Sequence, residues 1–218
     1  MIYGITVSVD AEGVVVKTIA PLLVASSALS GGGVVDARGI VNAHVEKSGS
    51  RTLARAALEA SAGRHGITHP YVGLLTAART ERAEIVTAKH GEMTALAIAT
   101  VGLGNRTTAG ASPPAVCTLP STINTIVVVD ADAEPAALIN AIITVTEVKT
   151  LALMEAGVKG ADGHFATGTS TDAVAVAVTR RGPRAQFGGP VSDFGWLVAQ
   201  AAGPALRRGI ARWMVEQA

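Results

Sequence analysis

A helix that is apolar on almost every side can only be stable with protein packed around it, and residues 135–158 read as such a helix: PAALINAIITVTEVKTLALMEAGV. Pro135 stands near the first turn and Gly157 follows the last, the usual start and stop signals. The chain is therefore expected to build a layered fold around a buried central helix near 135–156. Polar residues on that helix are the exceptions that carry information. Asn140, Thr144 and Glu147 recur at i, i+4 and i+7 and so share one stripe, with Thr150 close to the same line. Burying a carboxylate unpaired is costly, so Glu147 needs a partner or a ligand. After a glycine-rich break the chain reads TGTSTDAVAVAV, a hydroxyl cluster of Thr167, Thr169, Ser170 and Thr171 ending in Asp172 and running into a strand. A polar stripe followed by a hydroxyl-rich turn is a way to build a polar site into an apolar core.

Composition agrees with a compact core of small side chains. Of the 218 residues 49 % are hydrophobic and only 3 % aromatic, so Ala, Val, Ile and Leu fill the interior. No linker-like segment divides the chain, and a single domain over 1–218 is expected. The formal charge of +1 and scattered basic residues argue against nucleic acid as a partner, because phosphate binding needs a concentrated basic face. One cysteine, Cys117, precludes an internal disulfide and fits a reducing compartment. No apolar run is read as membrane-spanning, and the N-terminus alternates like a strand, so a soluble cytoplasmic protein is expected.

Along the chain, residues 2–10 and 14–18 alternate around Ala11-Glu12-Gly13 and form a hairpin, with a third short strand over 22–28. Residues 34–45 form a long extended segment carrying Arg38, Asn42 and His44. Residues 52–64 are an amphipathic helix with Ser50 as its N-cap. A strand over 71–78 delivers Arg79, and residues 83–89 and 93–103 pair around His90-Gly91-Glu92. GLGNRTTAG (102–110) and a proline-rich loop (Pro113, Pro114, Pro120) precede a β-branched strand over 122–130. Strand 173–179 follows the hydroxyl turn. A final helix capped by Ser192 runs to about Gln217, with Gly203-Pro204 a point of possible interruption. Strands outnumber helices and several are hairpin-linked. The fold class is α+β, with a large, mainly antiparallel sheet covered by helices.

Several chemistries are excluded on spacing. GLGNRTTAG matches neither glycine-rich phosphate motif. The five histidines form no HxH or HxxxH pair and there is a single cysteine, so no metal site is expected. There is no GxSxG elbow. Glu147 is either a core carboxylate satisfied by Asn140, Thr144 or a backbone amide, or a general acid or base tuned by burial; the pattern leaves both open. Lys149, two residues on, falls on another face and is expected in solvent. Thr167, Thr169, Ser170 and Thr171 either satisfy a turn or line a site, and Asp172 is either a turn residue or part of that site.

In order and over most of its length, the chain resembles the adenosylcobinamide amidohydrolase family. The resemblance rests on VASSALSGGGVVDARGIVNAHV (24–45), YVGLLTAAR (71–79), TVGLGNRTTAG (100–110), STINTIVVVDA (121–131), AALINAIITVTEVKTLALMEAGV (136–158), ATGTSTDAVAVA (166–177) and GPVSDFGWLVAQA (189–201). It implies hydrolysis of an amide of adenosylcobinamide to adenosylcobyric acid and aminopropanol in cobamide salvage. The corrinoid is then the substrate, and no cofactor is expected. The alternative is a corrinoid-binding protein without turnover. Amide hydrolysis needs an activated nucleophile, stabilisation of developing negative charge and an acid for the leaving amine. Glu147 is accordingly expected to activate water, with Thr169, Ser170 and Asp172 as the other catalytic candidates. Arg79, Asn42, Asn105, Asn124, Asn140, Thr144 and Thr167 are expected to bind substrate, and a homo-oligomer is left open.

Overall fold

The computed structural model describes residues 1–46, 51–114 and 121–217, with backbone alone for 51–54. Ser50, Cys117 and Pro120 lie outside the described residues. In chain order the elements are β1 (Ile5–Asp10), β2 (Gly13–Ser26), β3 (Gly33–His44), α1 (Arg51–Arg64), β4 (Val72–Thr76), β5 (Glu84–His90) and β6 (Met93–Val101). Then come the two-residue β7 (Arg106–Thr107), β8 (Ile123–Val129), the short β9 (Asp132–Ala133) and α2 (Pro135–Glu155). The chain closes with β10 (Gly168–Thr169), β11 (Ala173–Val178), β12 (Arg184–Ala185) and α3 (Asp193–Gln217).

Eight strands form one sheet in the order β4-β3-β2-β11-β8-β6-β5, with β1 also on β2. Pairing is antiparallel except for β3 with β4 and β8 with β11, so the expected α+β class with a mainly antiparallel sheet holds. The first hairpin forms because Asp10 Oδ1 accepts the Glu12 and Gly13 amides at 2.8 and 3.0 Å, closing the turn. The separate strand expected over 22–28 is instead the second half of β2. The two halves are joined across an irregularity where Lys17 pairs with Gly39 but Leu22 pairs with Ala37. Pro21, which has no amide to give a ladder, sits in that excursion.

Alternation along the strands explains the layers. Val14, Val16, Leu22 and Val24 of β2, Ile40 of β3 and Leu74 of β4 share one buried cluster with Ile98 of β6, Ile126 and Val128 of β8, and the alanines of β11. The sheet thus curls until its β4-β3-β2 half faces its β11-β8-β6 half across this inner core. On the outer side of the first half, Val15, Val41 and Ala43 pack on Leu58 and Ala62 of α1. On the outer side of the second half, Val127, Val129, Val174 and Val176 pack on Leu138, Val145 and Leu153 of α2 and on Leu197 and Leu206 of α3.

Three helix expectations are corrected. α2 is not buried all round: its inner face is sealed, but Ile139, Ile143, Leu151 and Met154 stay about half exposed. It is also long and apolar enough, by length and composition, to cross a membrane, contrary to the expectation that no such run exists; 44 % of its most apolar window is buried in the fold. α3 runs unbroken through Gly203 and Pro204, and Ser192 caps it by accepting the Gly195 amide at 3.1 Å. Where α2 meets the turn before α3 the backbones nearly touch, and a Cβ on Gly188 would lie 2.8 Å from the Ala141 nitrogen and closer still to the Ala137 carbonyl.

Candidate active site

Strands β8 and β11 run parallel and start at the same end of the sheet, where β6 finishes. That arrangement collects the GLGN segment, residues 121–123 and the TGTSTD turn in one place. β7 and β10 pair there, Thr107 with Gly168 and Arg106 with Thr169, and fasten one loop to the other. Thr167 helps hold them. Its hydroxyl accepts the Ala109 amide at 2.9 Å, its own amide donates to the Thr107 carbonyl, and its carbonyl accepts the Thr150 hydroxyl of α2 at 3.1 Å.

At the centre is Asp172, whose carboxylate is used fully. Oδ1 accepts the Ile123 amide at 3.0 Å and the Thr169 hydroxyl; Oδ2 accepts the Thr169 amide at 3.0 Å and the Lys149 ammonium at 2.5 Å. The Lys149 and Asp172 side chains are only 8 % and 11 % exposed. Lys149 was expected in solvent. It faces inward instead, and Gly168 closes over it: a Cβ there would come 2.8 Å from the ammonium and nearer to the carboxylate. Beside this pair Ser170 is exposed, with its Oγ accepting the Asn105 side-chain amide at 2.6 Å. The outer loop is braced by Asp162, whose carboxyl is held below the usual carboxylate range by the Ser112 hydroxyl and the His164 amide.

Behind the site a line of buried polar groups enters the inner core. Thr122 donates to the Thr171 carbonyl at 2.8 Å. Asn124 donates to Asn42 Oδ1 and to the Leu75 carbonyl, each at 2.8 Å, and Asn42 donates to Thr100 Oγ1 at 3.0 Å. Asn42 and Asn124 are 2 % and 1 % exposed. They therefore tie the two halves of the sheet together, and the expected substrate contact is corrected to a structural one.

The polar stripe on α2 is also taken apart by the structure. Thr144 is buried and donates to the Gly188 carbonyl at 2.9 Å, and Asn140 lies against Gly189. Both serve the turn before α3; Thr144 is five residues and Asn140 nine residues from Lys149, more than a helical turn away along the axis. Glu147 is exposed. Two residues on a helix are turned about 200° apart, so with Lys149 pointing in, Glu147 points out. It lines a shallow groove of about 490 Å³ with Ile142, Ile143, Thr150 and Leu151. The expectation of a buried base at 147 is corrected, because the helix buries one face only and 147 is on the other. Thr150 is shared by this groove and the hydroxyl turn.

Of the expected residues, Thr169, Ser170, Asp172, Asn105 and Thr167 come together; Asn42 and Asn124 lie behind them, and Arg79 lines a separate cleft. Lys149 was missed, although its signal was the one used for Glu147: a lone charge on a greasy helix calls for a partner. The ensemble places a hydroxyl on an ionisable carboxylate with a buried cation on its far side, next to amide and hydroxyl donors. That arrangement suits acyl transfer.

The PH0078 protein of Pyrococcus horikoshii OT3 matches with a TM-score of 0.50 and 13 % identity over 99 % of this chain and 80 % of that one. A Burkholderia sp. beta-aminopeptidase matches at 0.47 and 14 % identity, over 95 % and 80 %. The L-aminopeptidase D-Ala-esterase/amidase from Ochrobactrum anthropi, described as a variant of the Ntn hydrolase fold, matches at 0.40 and 13 % identity, over 97 % and 83 %. No curated protein matches this chain in sequence. The model of the adenosylcobinamide amidohydrolase family matches residues 3–218. The chain belongs to the adenosylcobinamide amidohydrolase family and is an amidohydrolase of cobamide metabolism.

Proposed function

We propose that the enzyme hydrolyses the amide joining aminopropanol to the corrin ring of adenosylcobinamide, releasing adenosylcobyric acid and aminopropanol, at the Thr169–Asp172 cluster. The observation that carries this reading is the buried Lys149–Asp172 pair with the Thr169 hydroxyl donating into it. The Thr169 oxygen adds to the amide carbonyl as its proton passes towards Asp172. Aminopropanol departs with a proton, and water cleaves the resulting ester to release the acid. Lys149 holds the carboxylate in place and offsets its charge. Ser170 and Asn105, exposed and half-buried beside Thr169, are positioned to donate to the developing oxyanion.

The large corrin ring lies on the aliphatic side chains of the α2 groove, which meets the hydroxyl turn at Thr150 and Thr167. On this reading Glu147 contacts peripheral amides of the ring and takes no part in proton transfer.

Incubation of the purified protein with adenosylcobinamide, with assay of free aminopropanol, tests the reaction. Thr169→Ala is expected to lose at least about a thousandfold in kcat, as removal of a nucleophile does, while Ser170→Ala keeps a larger fraction. Hydroxylamine should intercept an ester on Thr169 as the hydroxamate of the corrin acid. Equal losses in both variants, with no trapped product, would remove Thr169 as nucleophile. Corrinoid binding without any aminopropanol would leave a carrier rather than an enzyme of this substrate.

A further inference from the structure

A cleft of about 390 Å³ opens between the end of β4, the end of β6 and the last turns of α3. Val101, Gly102 and Ser121 form its inner wall. This wall is continuous with the site: the Gly104 amide donates to Ser121 Oγ at 2.7 Å, and the Gly102 amide donates to the carbonyl of Thr122, the residue next to Ile123, whose amide holds Asp172. Three guanidinium groups, Arg79, Arg82 and Arg212, line the cleft.

Their charges are not balanced. Arg82 pairs with Glu216 and Arg212 pairs with the largely buried Glu84, which leaves three cations against two carboxylates. Arg212 is further fixed by donating to the Arg82 carbonyl at 3.1 Å. Among the described residues, the guanidinium of Arg79 has no hydrogen-bond, ion-pair or ring partner; its carbonyl accepts the Arg82 amide at 3.2 Å. A guanidinium without a carboxylate in a concave site, flanked by two others that are already held, matches the fork geometry by which arginine takes a planar oxyanion. The like charges gathered in the concavity raise the positive potential there.

We propose that this cleft is an oxyanion subsite with Arg79 as its primary ligand. Resting on the proposed reaction, the oxyanion it receives is the ring carboxylate created by hydrolysis. The amide substrate is neutral at the reacting side chain and its product is an acid, so the subsite favours product over substrate and slows release of the acid.

The subsite is tested without turnover by calorimetric titration of acetate and of inorganic phosphate into the intact protein. Wild type is expected to bind both, Arg79→Met to lose tenfold or more in affinity, and Glu216→Gln to gain severalfold by freeing Arg82. Arg55→Met, on the outer face of α1, serves as control and is expected to bind as wild type does. Loss of equal size in Arg79→Met and Arg55→Met, or no anion binding by wild type, overturns the subsite. With the corrinoids themselves, adenosylcobyric acid is expected to bind more tightly than adenosylcobinamide, and Arg79→Met to reduce that ratio at least fivefold. Anion binding with an unchanged ratio overturns the carboxylate assignment in favour of a free anion such as phosphate. Anion binding with no aminopropanol release sinks the proposed reaction and leaves the subsite, whereas turnover with no anion binding does the reverse.

Discussion

Lys149 and Asp172 meet where neither charge is well hydrated, and that decides what each substitution does. Removing one member strands the other, and for buried pairs this costs about 3–5 kcal/mol. Lys149→Met and Asp172→Asn are each expected to lower stability by an amount in that range, measured by urea unfolding. The double variant is expected to recover most of the loss while remaining inactive. A double variant as unstable as the sum of the two singles would show that the partners act independently. Glu147→Gln makes the opposite case. Since the carboxylate is exposed, kcat should stay within about threefold of wild type and any change should appear in KM, in the way that loss of uniform binding does. A drop of about a hundredfold in kcat would return the base to position 147. The hydroxyl turn was legible as a polar cluster because Thr167, Thr169, Ser170 and Asp172 are dense in sequence and stay together in space. The Asn140/Thr144/Glu147 stripe was legible as a stripe, but periodicity gives relative angles on a helix and not which angle faces the core.

At the level of the element, α2 has two faces with unequal roles. Leu138 is fully buried against the sheet, so Leu138→Ala should cost about 2–5 kcal/mol. Ile143 is 52 % exposed, so Ile143→Ala should stay within about 0.5 kcal/mol of wild type while raising KM if the ring lies there. The contact of α2 with the turn before α3 has no room for a side chain. Gly188→Ala must push apart two stretches of backbone and is expected to destabilise by about 1–3 kcal/mol, read from thermal unfolding. Hydropathy predicted α2 well in position and length. Its exposed side was not readable, because an apolar residue on an exposed face has the same hydropathy as one in the core.

At the surface α2 and α3 are linked by Arg207, which donates to Glu155 at 2.7 and 3.2 Å. The guanidinium holds the Glu155 carboxyl below its ordinary range. A carboxyl lowered in the folded state adds stability that is present above its unfolded value and is lost as pH falls through the folded one. Arg207→Met is therefore expected to lose an increment of stability that is full at neutral pH and vanishes in strong acid, small because both partners are exposed, and its acid unfolding midpoint should shift slightly upward. A midpoint that does not move would assign acid stability to other carboxylates. Strand positions, the hairpins and the α+β class followed from alternation and turn chemistry. The curling of one sheet into two facing halves did not, because alternation specifies two faces for a strand without saying what covers each.

β2 keeps one face on the inner core in both of its halves, through Val14 and Val16 and again through Leu22 and Val24, while its other face changes partner, from α1 near Val15 to the α2 side near Ala25. A single backbone is thus common property of both outer layers, and no cut through the chain leaves two pieces that each retain a complete interior. Loosening at either helix is felt by the other through that strand, so the two ends of the protein should melt together as one cooperative unit.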